Sequence, residues 1–384
     1  MTNYFSSDFT LGILGGGQLG KMLLAETRKW DITTKVLDPS PEAPARLACN
    51  EFVVGSLTDY DTVYNFGKGV DVLTIEIEHV NVQALEALEA EGVRVYPSPK
   101  TLSIVQDKVD QKLFYGEKGI PTSPFSVFES PRVLQEEALE YELNYPLVWK
   151  SARFGYDGNG VKVLRNDNDL EGLPEGLCVV EDFVPFEKEL AVIVARSSTG
   201  EIAAYPVVEM EFHPEANQVE YVLCPARISD DIAEKAQALA LRTAECFEVV
   251  GLLAVEFFLT KEGEVLVNEV APRPHNSGHY SIEASYTNQF EQHLRAILGL
   301  PLGSTESKAA AVMVNLVGAE GYTGEVVYKN IEQIMALPGV TPHIYGKRET
   351  RPFRKMGHVT IVNEDINQAR RIAEEVKRTI QVIA

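Results

Sequence analysis

The chain has 384 residues, of which 45% are hydrophobic, so it is long enough to form two or three domains. Its 35 basic and 56 acidic residues give a net charge of −21, which argues against nucleic acid or a membrane surface as the main partner. The cysteines form no CxxC pair and no apolar run approaches the ~18 residues of a membrane span, so we expect a soluble cytoplasmic protein.

The N-terminal part alternates apolar strands with helical stretches. Strands are predicted at residues 11–14, 35–37 and 72–75, and helices at 18–30 and 82–90. This alternation is typical of a parallel α/β sheet. Two prolines within 96–99 predict a connection, so the first domain is expected to span residues 1–98.

A glycine-rich turn, Gly15-Gly16-Gly17-Gln18-Leu19-Gly20, follows the first strand, and Asp38 ends the next one. The pattern GxGxxG in this position is the dinucleotide-binding fingerprint. Physically, it brings backbone N–H groups and a helix N-terminus close to an anion without specifying which anion. From this motif alone, a nicotinamide dehydrogenase and a purely structural turn both stay open.

In the middle of the chain, strands come in consecutive pairs, which predicts an α+β domain at residues 99–303. The expected pairs are 189–196 with 202–205 and 252–259 with 264–270, and the expected helices are 107–118, 134–143 and 230–248. Residues 304–384 are predicted to form a small β-rich domain. Its strands are expected at 310–316, 340–345 and 358–362, before a helix at 366–380.

The second of these pairs carries two carboxylates. If Glu262-Gly263 is a two-residue turn, the ladder places Glu256 opposite Glu269. Like charges at cross-strand distance are destabilising unless a cation neutralises them, and two carboxylates suit Mg²⁺ with a nucleotide. A solvated acidic pair on an edge hairpin is the alternative.

Three further segments carry candidate binding groups. Arg273, His275 and His279 follow the second glutamate in a segment with two prolines, and the arginine suits the binding of a planar oxyacid. A glycine-rich loop at 151–160 follows Lys150 and could cover phosphates, although it is not a Walker A loop. A basic cluster at 347–355 offers a site for a phosphate monoester in an otherwise acidic chain.

Taken together, these residues resemble the ATP-grasp superfamily, and closely the 5-(carboxyamino)imidazole ribonucleotide synthetase family of purine biosynthesis. The matching strings are GILGGGQLGKM (12–22), IEIEHV (75–80), QDK (106–108), FGYDGNG (154–160), EDFVPFEKEL (181–190), NEVAPRPHNSGHY (268–280) and RKMGH (354–358). The resemblance implies a pre-ATP-grasp α/β domain, a central ATP-grasp domain and a small C-terminal domain.

The resemblance also implies roles for individual residues. Glu256 and Glu269 would hold Mg²⁺ and, with Arg273 and His275, would form the catalytic group. The implied ATP-binding residues are Lys108, Lys150, Gly155, Tyr156, Asp157, Gly158, Asn159, Gly160, Val161, Glu181, Asp182, Phe183, Val184, Glu189, His213, Asn268 and Glu269. The implied ribonucleotide-binding residues are Gln18, Glu78, Tyr156, Asp157, Arg273, Lys347, Arg351, Arg354 and Lys355.

The implied reaction is the ATP-dependent carboxylation of 5-aminoimidazole ribonucleotide by bicarbonate through carboxyphosphate, in a homodimer with neither nicotinamide nor biotin. Two positions depart from the pattern. His79-Val80 stands where relatives often have Asn-Val, and Ala271 replaces an asparagine that often provides a third metal ligand. Mg²⁺ is therefore expected on the two glutamates alone.

Three other functions are compatible with parts of the sequence. A formate-dependent glycinamide ribonucleotide transformylase shares the glycine turn and the APRPH run, but Asn276-Ser277 and the GYDG loop favour the carboxylase. A nicotinamide dehydrogenase explains the glycine turn but gives the paired glutamates no role. A regulatory nucleotide-binding module has no need of the two glutamates and the two lysines.

Overall fold

The computed structural model describes residues 4–140, 143–153, 160–214, 216 and 218–384. Its N-terminal part is a five-stranded parallel sheet with the order β3-β2-β1-β4-β5. The elements are β1 (Thr10–Leu14), α1 (Gln18–Lys29), β2 (Thr33–Asp38), β3 (Glu51–Val54), α2 (Tyr60–Gly67), β4 (Val72–Ile75), α3 (Val82–Ala90), β5 (Arg94–Tyr96) and α4 (Pro99–Val105).

The helices of this part begin where polar side chains cap them. Asp59, Asn81 and Ser98 each accept a backbone N–H from the first turn of α2, α3 and α4. The same helices bury apolar residues such as Leu85 and Leu88 against the sheet. Capping and burial together hold these helices on the sheet, in which the C-terminal ends of β1 and β4 lie side by side.

The central part contains a small sheet and most of a large one, which face one another. The small antiparallel sheet has the order β6-β9-β7-β8. Its region comprises α5 (Lys108–Lys118), β6 (Phe125–Phe128), α6 (Pro131–Glu140), β7 (Leu147–Ser151), β8 (Val161–Leu164) and β9 (Cys178–Asp182), with a 3₁₀ turn at Asp167–Leu170. The helix expected at 134–143 begins earlier because Pro131 suits a first helical turn.

The large sheet has nine strands among the described residues, in the order β15-β14-β10-β12-β13-β16-β21-β19, with β11 beside β10. Its central elements are β10 (Phe186–Arg196), β11 (Ile202–Ala204), β12 (Val208–Phe212), β13 (Val219–Cys224), α7 (Asp230–Cys246), β14 (Gly251–Thr260), β15 (Val265–Ala271), α8 (Ser281–Ala284) and α9 (Gln289–Ile297), with a 3₁₀ turn at Asn276–Gly278. Helix α7 covers one face of this sheet with a large apolar core.

The C-terminal part extends this large sheet. It comprises β16 (Ala310–Val317), β17 (Gly324–Glu325), β18 (Val327–Lys329), α10 (Ile331–Met335), β19 (Val340–Ile344), β20 (Glu349–Thr350), β21 (Lys355–Asn363), α11 (Ile366–Thr379) and β22 (Gln381–Ile383). Strand β16 pairs with β13, Tyr221 opposite Val314, so the sheet continues across residue 303. The predicted fold class is confirmed, whereas the domain boundaries at 98 and 303 stay predictions.

Helix α9 joins the central part to the N-terminal sheet. Phe290, Leu294 and Ile297 are buried in one cluster with Leu11 of β1 and Leu23 of α1. The apolar face of α9 thus packs on the N-terminal part, while the chain before and after α9 belongs to the central part. Among the described helices, none is long and apolar enough to cross a membrane.

We expect Leu294→Ala to weaken this joint. Leu294 is fully buried, so truncation should lower the free energy of unfolding by about 2–5 kcal/mol, measured as a shift of the urea midpoint. Leu113→Ala, at a leucine of α5 that is 53% exposed, is the control and should stay within about 0.5 kcal/mol. Equal shifts in the two variants would contradict the assignment of α9 as a joint.

Candidate active site

Two glutamates face one another on the hairpin of β14 and β15. Glu256 pairs directly with Glu269, as predicted. The predicted two-residue turn is wrong, because Thr260 N–H bonds to the carbonyl of Glu264 across the longer loop 261–263. A β-bulge at Asn268 compensates for this difference, since Phe257 pairs with Val267 and the ladder then skips one residue.

The bulge also decides what Asn268 can reach. In a regular strand, consecutive side chains point to opposite faces, whereas a bulge re-aims one of them. Here Asn268 Oδ1 accepts from Lys150 Nζ at 3.1 Å, and Glu269 Oε2 pairs with Lys108 Nζ at 3.0 Å. Two consecutive residues of β15 therefore meet the two lysines that the resemblance places at the ATP phosphates.

The charge of the glutamate pair favours a cation. Burial and the neighbouring Glu269 raise the pKa of Glu256, while Lys108 holds the pKa of Glu269 below its ordinary value. Such a pair fits Mg²⁺, which takes its remaining ligands from water and phosphates. Within the described ranges, no group of three or more His, Cys, Asp or Glu side chains that could hold a metal ion occurs, and a metal site on the two glutamates stays a prediction.

The third acidic residue near this pair is Glu189 on β10. It lies opposite Phe258 of the neighbouring strand β14. Burial, together with the charge of Glu269, raises the pKa of Glu189 to about 7. The residue is therefore close to the carboxylate pair without belonging to it, as a residue at the edge of a nucleotide site would be.

Glu181, at the end of β9, organises the lysines. Its side chain is 2% exposed and pairs with Lys150 at 2.8 Å and with Lys112 at 3.1 Å. Although burial alone would raise it, the two lysines lower the pKa of Glu181. Its carboxylate is thus held by two lysines of the protein, and the adenine contact expected at residues 181–184 stays a prediction.

The QDK string connects three parts of the site. Gln106 Nε2 donates to the carbonyls of Glu78 and Val80 at 2.7 and 2.8 Å. Asp107 caps helix α5 by accepting from the backbone N–H of Val109. Lys108, the first residue of that helix, is thereby aimed at Glu269.

His275 lies beside the carboxylate pair, and Arg273, two residues earlier, contacts Glu78. Arg273 Nε pairs with Glu78 Oε1 at 2.8 Å, and His275 Nε2 lies 3.3 Å from Glu256 Oε1. The backbone N–H of Ser277 points to His275 Nδ1 at 3.3 Å, so Nδ1 is an acceptor and the ring proton of the neutral imidazole belongs on Nε2. That proton faces Glu256.

The glycine turn is filled by a carboxylate of the protein itself. Gly17 and Gly20 donate their N–H groups to Glu76 at 3.0 and 2.9 Å, and Gly16 donates to Asp38 at 2.7 Å. A Cβ on Gly17 would lie 2.6 Å from Glu76 Oε1, so only glycine permits this approach. The amides that would bind a dinucleotide phosphate are used internally, which gives the fingerprint a structural role.

The N-terminal part contacts the chain just before the basic cluster. Lys21 of α1, which lies three residues after Gln18, donates to the carbonyls of Ile344 and Tyr345 at 2.8 and 3.2 Å. Lys347 donates to the carbonyl of Lys355 at 2.8 Å, and the charge of Lys355 acts on Glu256. Lys355 is thus close to the carboxylates, whereas Arg351 and Arg354 lie on the adjoining turn.

The remaining predicted residues fall in several places. Gly155, Tyr156, Asp157, Gly158 and Asn159 lie outside the described residues. Gly160 accepts from Ser151 N–H at 2.9 Å, and Val161 pairs with Lys150, which confirms the hairpin on either side of the loop. The ring of His213 lies 5.8 Å from that of Phe353, at the turn of the basic cluster. Asp182 and Phe183 are exposed beside Val184.

Sequence reasoning missed three residues that support the site: Glu76, Gln106 and Lys112. Burial lowers the pKa of Lys112 to about 8. Its spacing of four residues from Lys108 on a helix was a usable signal, because such residues share a face. Glu76 and Gln106 act across long sequence separations, and spacing alone carries no information about such contacts.

Comparison with known proteins supports this organisation. Three family models match consecutive segments: a ribonucleotide synthetase preATP-grasp domain at residues 9–106, an ATP-grasp domain at 113–290 and a phosphoribosylaminoimidazole carboxylase C-terminal domain at 311–372. The N5-carboxyaminoimidazole ribonucleotide synthase of Synechococcus elongatus is 38% identical over 357 residues, which covers 91% of this chain and 89% of the relative.

Solved structures agree over the whole chain. The N5-carboxyaminoimidazole ribonucleotide synthetase of Thermotoga maritima is 44% identical with a TM-score of 0.89, covering 98% of this chain and 99% of the other. The Aspergillus clavatus synthase, in complex with ADP and 5-aminoimidazole ribonucleotide, is 32% identical with a TM-score of 0.86, covering 97% and 98%. Similar fungal and plant phosphoribosylaminoimidazole carboxylases are longer, and the chain spans 63–70% of their length.

We expect Glu76→Ala to destabilise the N-terminal domain. The substitution leaves the N–H groups of Gly17 and Gly20 buried without an acceptor, which should cost about 1–3 kcal/mol in the free energy of unfolding, measured by urea titration. Glu86→Ala, at an exposed position of α3, is the matched control. An unchanged midpoint in Glu76→Ala would mean that the turn does not depend on this carboxylate.

Proposed function

The chain belongs to the N5-carboxyaminoimidazole ribonucleotide synthase family of ATP-grasp enzymes, and we propose that it uses bicarbonate for the ATP-dependent carboxylation of 5-aminoimidazole ribonucleotide. The observation that carries this proposal is the position of His275 directly beside Glu256 of the glutamate pair, with Arg273 two residues earlier in the same segment. An oxyanion-binding group next to a nucleotide-metal site is what the phosphorylation of bicarbonate requires.

The glutamate pair would hold Mg²⁺, which when bound neutralises charge on the phosphates of ATP. Lys108 and Lys150 would contact the same phosphates. Both lysines are already oriented by acidic partners, Glu269 and Glu181. Preoriented cations avoid reorganisation during phosphoryl transfer, and this favours the transition state in which charge shifts onto ADP.

In the first step, an oxygen of bicarbonate would bond to the γ-phosphorus while the bond to the bridging oxygen of ADP breaks. Arg273 is suited to hold the planar carboxylate edge of bicarbonate by parallel hydrogen bonds. Its present partner is Glu78, so binding would require the guanidinium to share or exchange that contact. The Nε2–H of His275 would donate to the same oxyanion beside Glu256.

In the second step, the exocyclic amine of the ribonucleotide would attack the carboxyl carbon of carboxyphosphate or of CO₂ released from it. The N–C bond forms, inorganic phosphate leaves and the amine loses a proton. Lys347, Arg351, Arg354 and Lys355 would bind the ribonucleotide phosphate, supported by their excess of positive charge in an acidic chain. Gln18, Glu78, Tyr156 and Asp157 are proposed to border the aminoimidazole.

The location and assembly follow from the resemblance. We propose a cytoplasmic homodimer, with the adenine bound beside residues 181–184 and the ribose at Glu189. The half-buried position of Glu189 near the carboxylate pair supports a nucleotide contact there, and His213 and Asn268 would complete it. Sedimentation of the purified chain is the direct measurement of its assembly.

The proposed reaction is tested with labelled one-carbon donors. We expect ¹³C from bicarbonate to enter the product made from 5-aminoimidazole ribonucleotide and ATP, with one ADP released for each carboxylation. Incubation with labelled formate and glycinamide ribonucleotide is the control. Label entering from formate would replace the carboxylase assignment with a transformylase, and ATP binding without ribonucleotide-dependent hydrolysis would indicate a regulatory module.

Substitutions should separate the metal site from the ribonucleotide site. We expect Glu269→Gln to lower kcat by about 100-fold or more, because several kcal/mol of charge stabilisation is lost with the metal. Lys347→Ala should instead raise the KM for the ribonucleotide by roughly tenfold, the size of one charge-assisted hydrogen bond. Steady-state kinetics measure both, and unchanged kinetics in Glu269→Gln would remove the metal assignment.

A further inference from the structure

Gln289, the first residue of α9, holds the peptide groups on both sides of His275. Its side chain is fully buried. The Oε1 atom accepts from the backbone N–H of His275 at 2.9 Å, and Nε2 donates to the backbone carbonyl of the same residue at 2.8 Å. A side-chain amide therefore pairs with one residue of the main chain through two parallel hydrogen bonds.

The same amide has no freedom to turn. The second hydrogen of Nε2 points to His279 Nδ1 at 3.0 Å, so Nδ1 is an acceptor and His279 is neutral with its proton on Nε2. A flip of the amide would place an NH₂ group against the N–H of His275 and an oxygen against two acceptors. Each of these mismatches is costly in a buried site.

Hydrogen bonds at the start of α9 and the packing of that helix fix the position of the Gln289 amide. Gln289 N–H bonds to Ser281 Oγ at 3.0 Å, and Asn288 caps the helix by accepting from Phe290 and Glu291. The apolar face of α9 is buried against the N-terminal sheet. Movements of the segment after β15 are therefore resisted by a helix that is packed on a different domain.

Gly278 closes the arrangement from the other side. A Cβ at this position would lie 2.5 Å from Gln289 Oε1 and 2.7 Å from its amide carbon. Such distances are well inside van der Waals contact, so any larger residue must push the amide away. The glycine thus allows Gln289 to lie directly against the turn at Asn276–Gly278 that carries Ser277, the partner of the His275 ring.

We propose that Gln289 is a positioning residue for bicarbonate: through the peptide groups of His275 it fixes the imidazole 3.3 Å from Glu256. The inference rests on the proposed function, in which His275 donates to the oxyanion. Gln289 itself touches neither the carboxylates nor the proposed ligands. Its effect reaches the reaction through the backbone of His275 and through its contact with the ring of His279, and a displacement of about 1 Å at a reacting group can cost about 100-fold in rate.

The chain provides a matched control on the same helix. Gln292 is also fully buried, and its amide makes the same two bonds to a backbone residue, Gly303, accepting from N–H and donating to the carbonyl at 2.8 Å each. Gly303 lies away from the proposed site. Gln289→Glu and Gln292→Glu therefore remove the same donor group, and only the first affects the support of His275.

We expect both variants to unfold at a lower temperature, but only Gln289→Glu to raise the KM for bicarbonate, by roughly tenfold or more, in CO₂-depleted buffer. The Kd for ATP, measured by calorimetry without bicarbonate, and the KM for the ribonucleotide should change less than about twofold, since their proposed contacts, apart from Arg273, lie outside the segment that Gln289 holds. A purely structural role would instead give both variants the same kinetics, which would overturn the inference.

Gly278→Ala provides a second route to the same result. This variant keeps the side-chain amide of Gln289 but pushes it from its position, so it should raise the KM for bicarbonate in the same selective way. It also decides the question if Gln289→Glu does not fold. A KM at the wild-type value in Gly278→Ala would count against the inference. If the wild-type chain itself shows no bicarbonate-dependent turnover, the proposed function fails, which is a distinct outcome.

Discussion

The site depends on one electrostatic constraint: Glu256 and Glu269 face one another on adjacent strands, where like charges disfavour the folded state. Each surrounding cation compensates part of that cost and comes from a different part of the chain. Lys108 arrives on α5 and Lys150 on β7, while Lys355 arrives at the start of β21. The repulsion between the two glutamates is therefore offset by cations from α5, β7 and β21, which all lie around the same hairpin.

Much of this organisation could be predicted from local pattern. Hydrophobic periodicity located the strands and helices, and the pairing of the two glutamates followed from ladder counting, although the bulge at Asn268 shows that the assumed turn was wrong. The contacts of Glu76, Gln106 and Gln289 could not be predicted in this way. They depend on which distant elements pack together, and side-chain spacing contains no information about that.

The boundaries between the predicted domains are also places of strong contact. The large sheet continues from β13 into β16, and Asn276 exchanges two amide hydrogen bonds with Asn315 of β16 at 2.9 and 3.0 Å. The Asn276-Ser277 pair that favoured the carboxylase over the transformylase thus connects the segment proposed to bind bicarbonate with the C-terminal strands. Lys21 makes the corresponding connection from the N-terminal domain.

The carboxylate of Glu76 in the glycine turn has a consequence for how such turns are read in other sequences. A glycine turn of the nucleotide-binding type can keep its backbone amides and satisfy them with a side chain of the same protein. The amides then stabilise the fold instead of binding a phosphate. The distinguishing feature lies outside the fingerprint, in an acidic residue directly after the neighbouring strand, at Glu76. A search that reads the glycines together with that position would separate self-filled turns from those still available to a ligand.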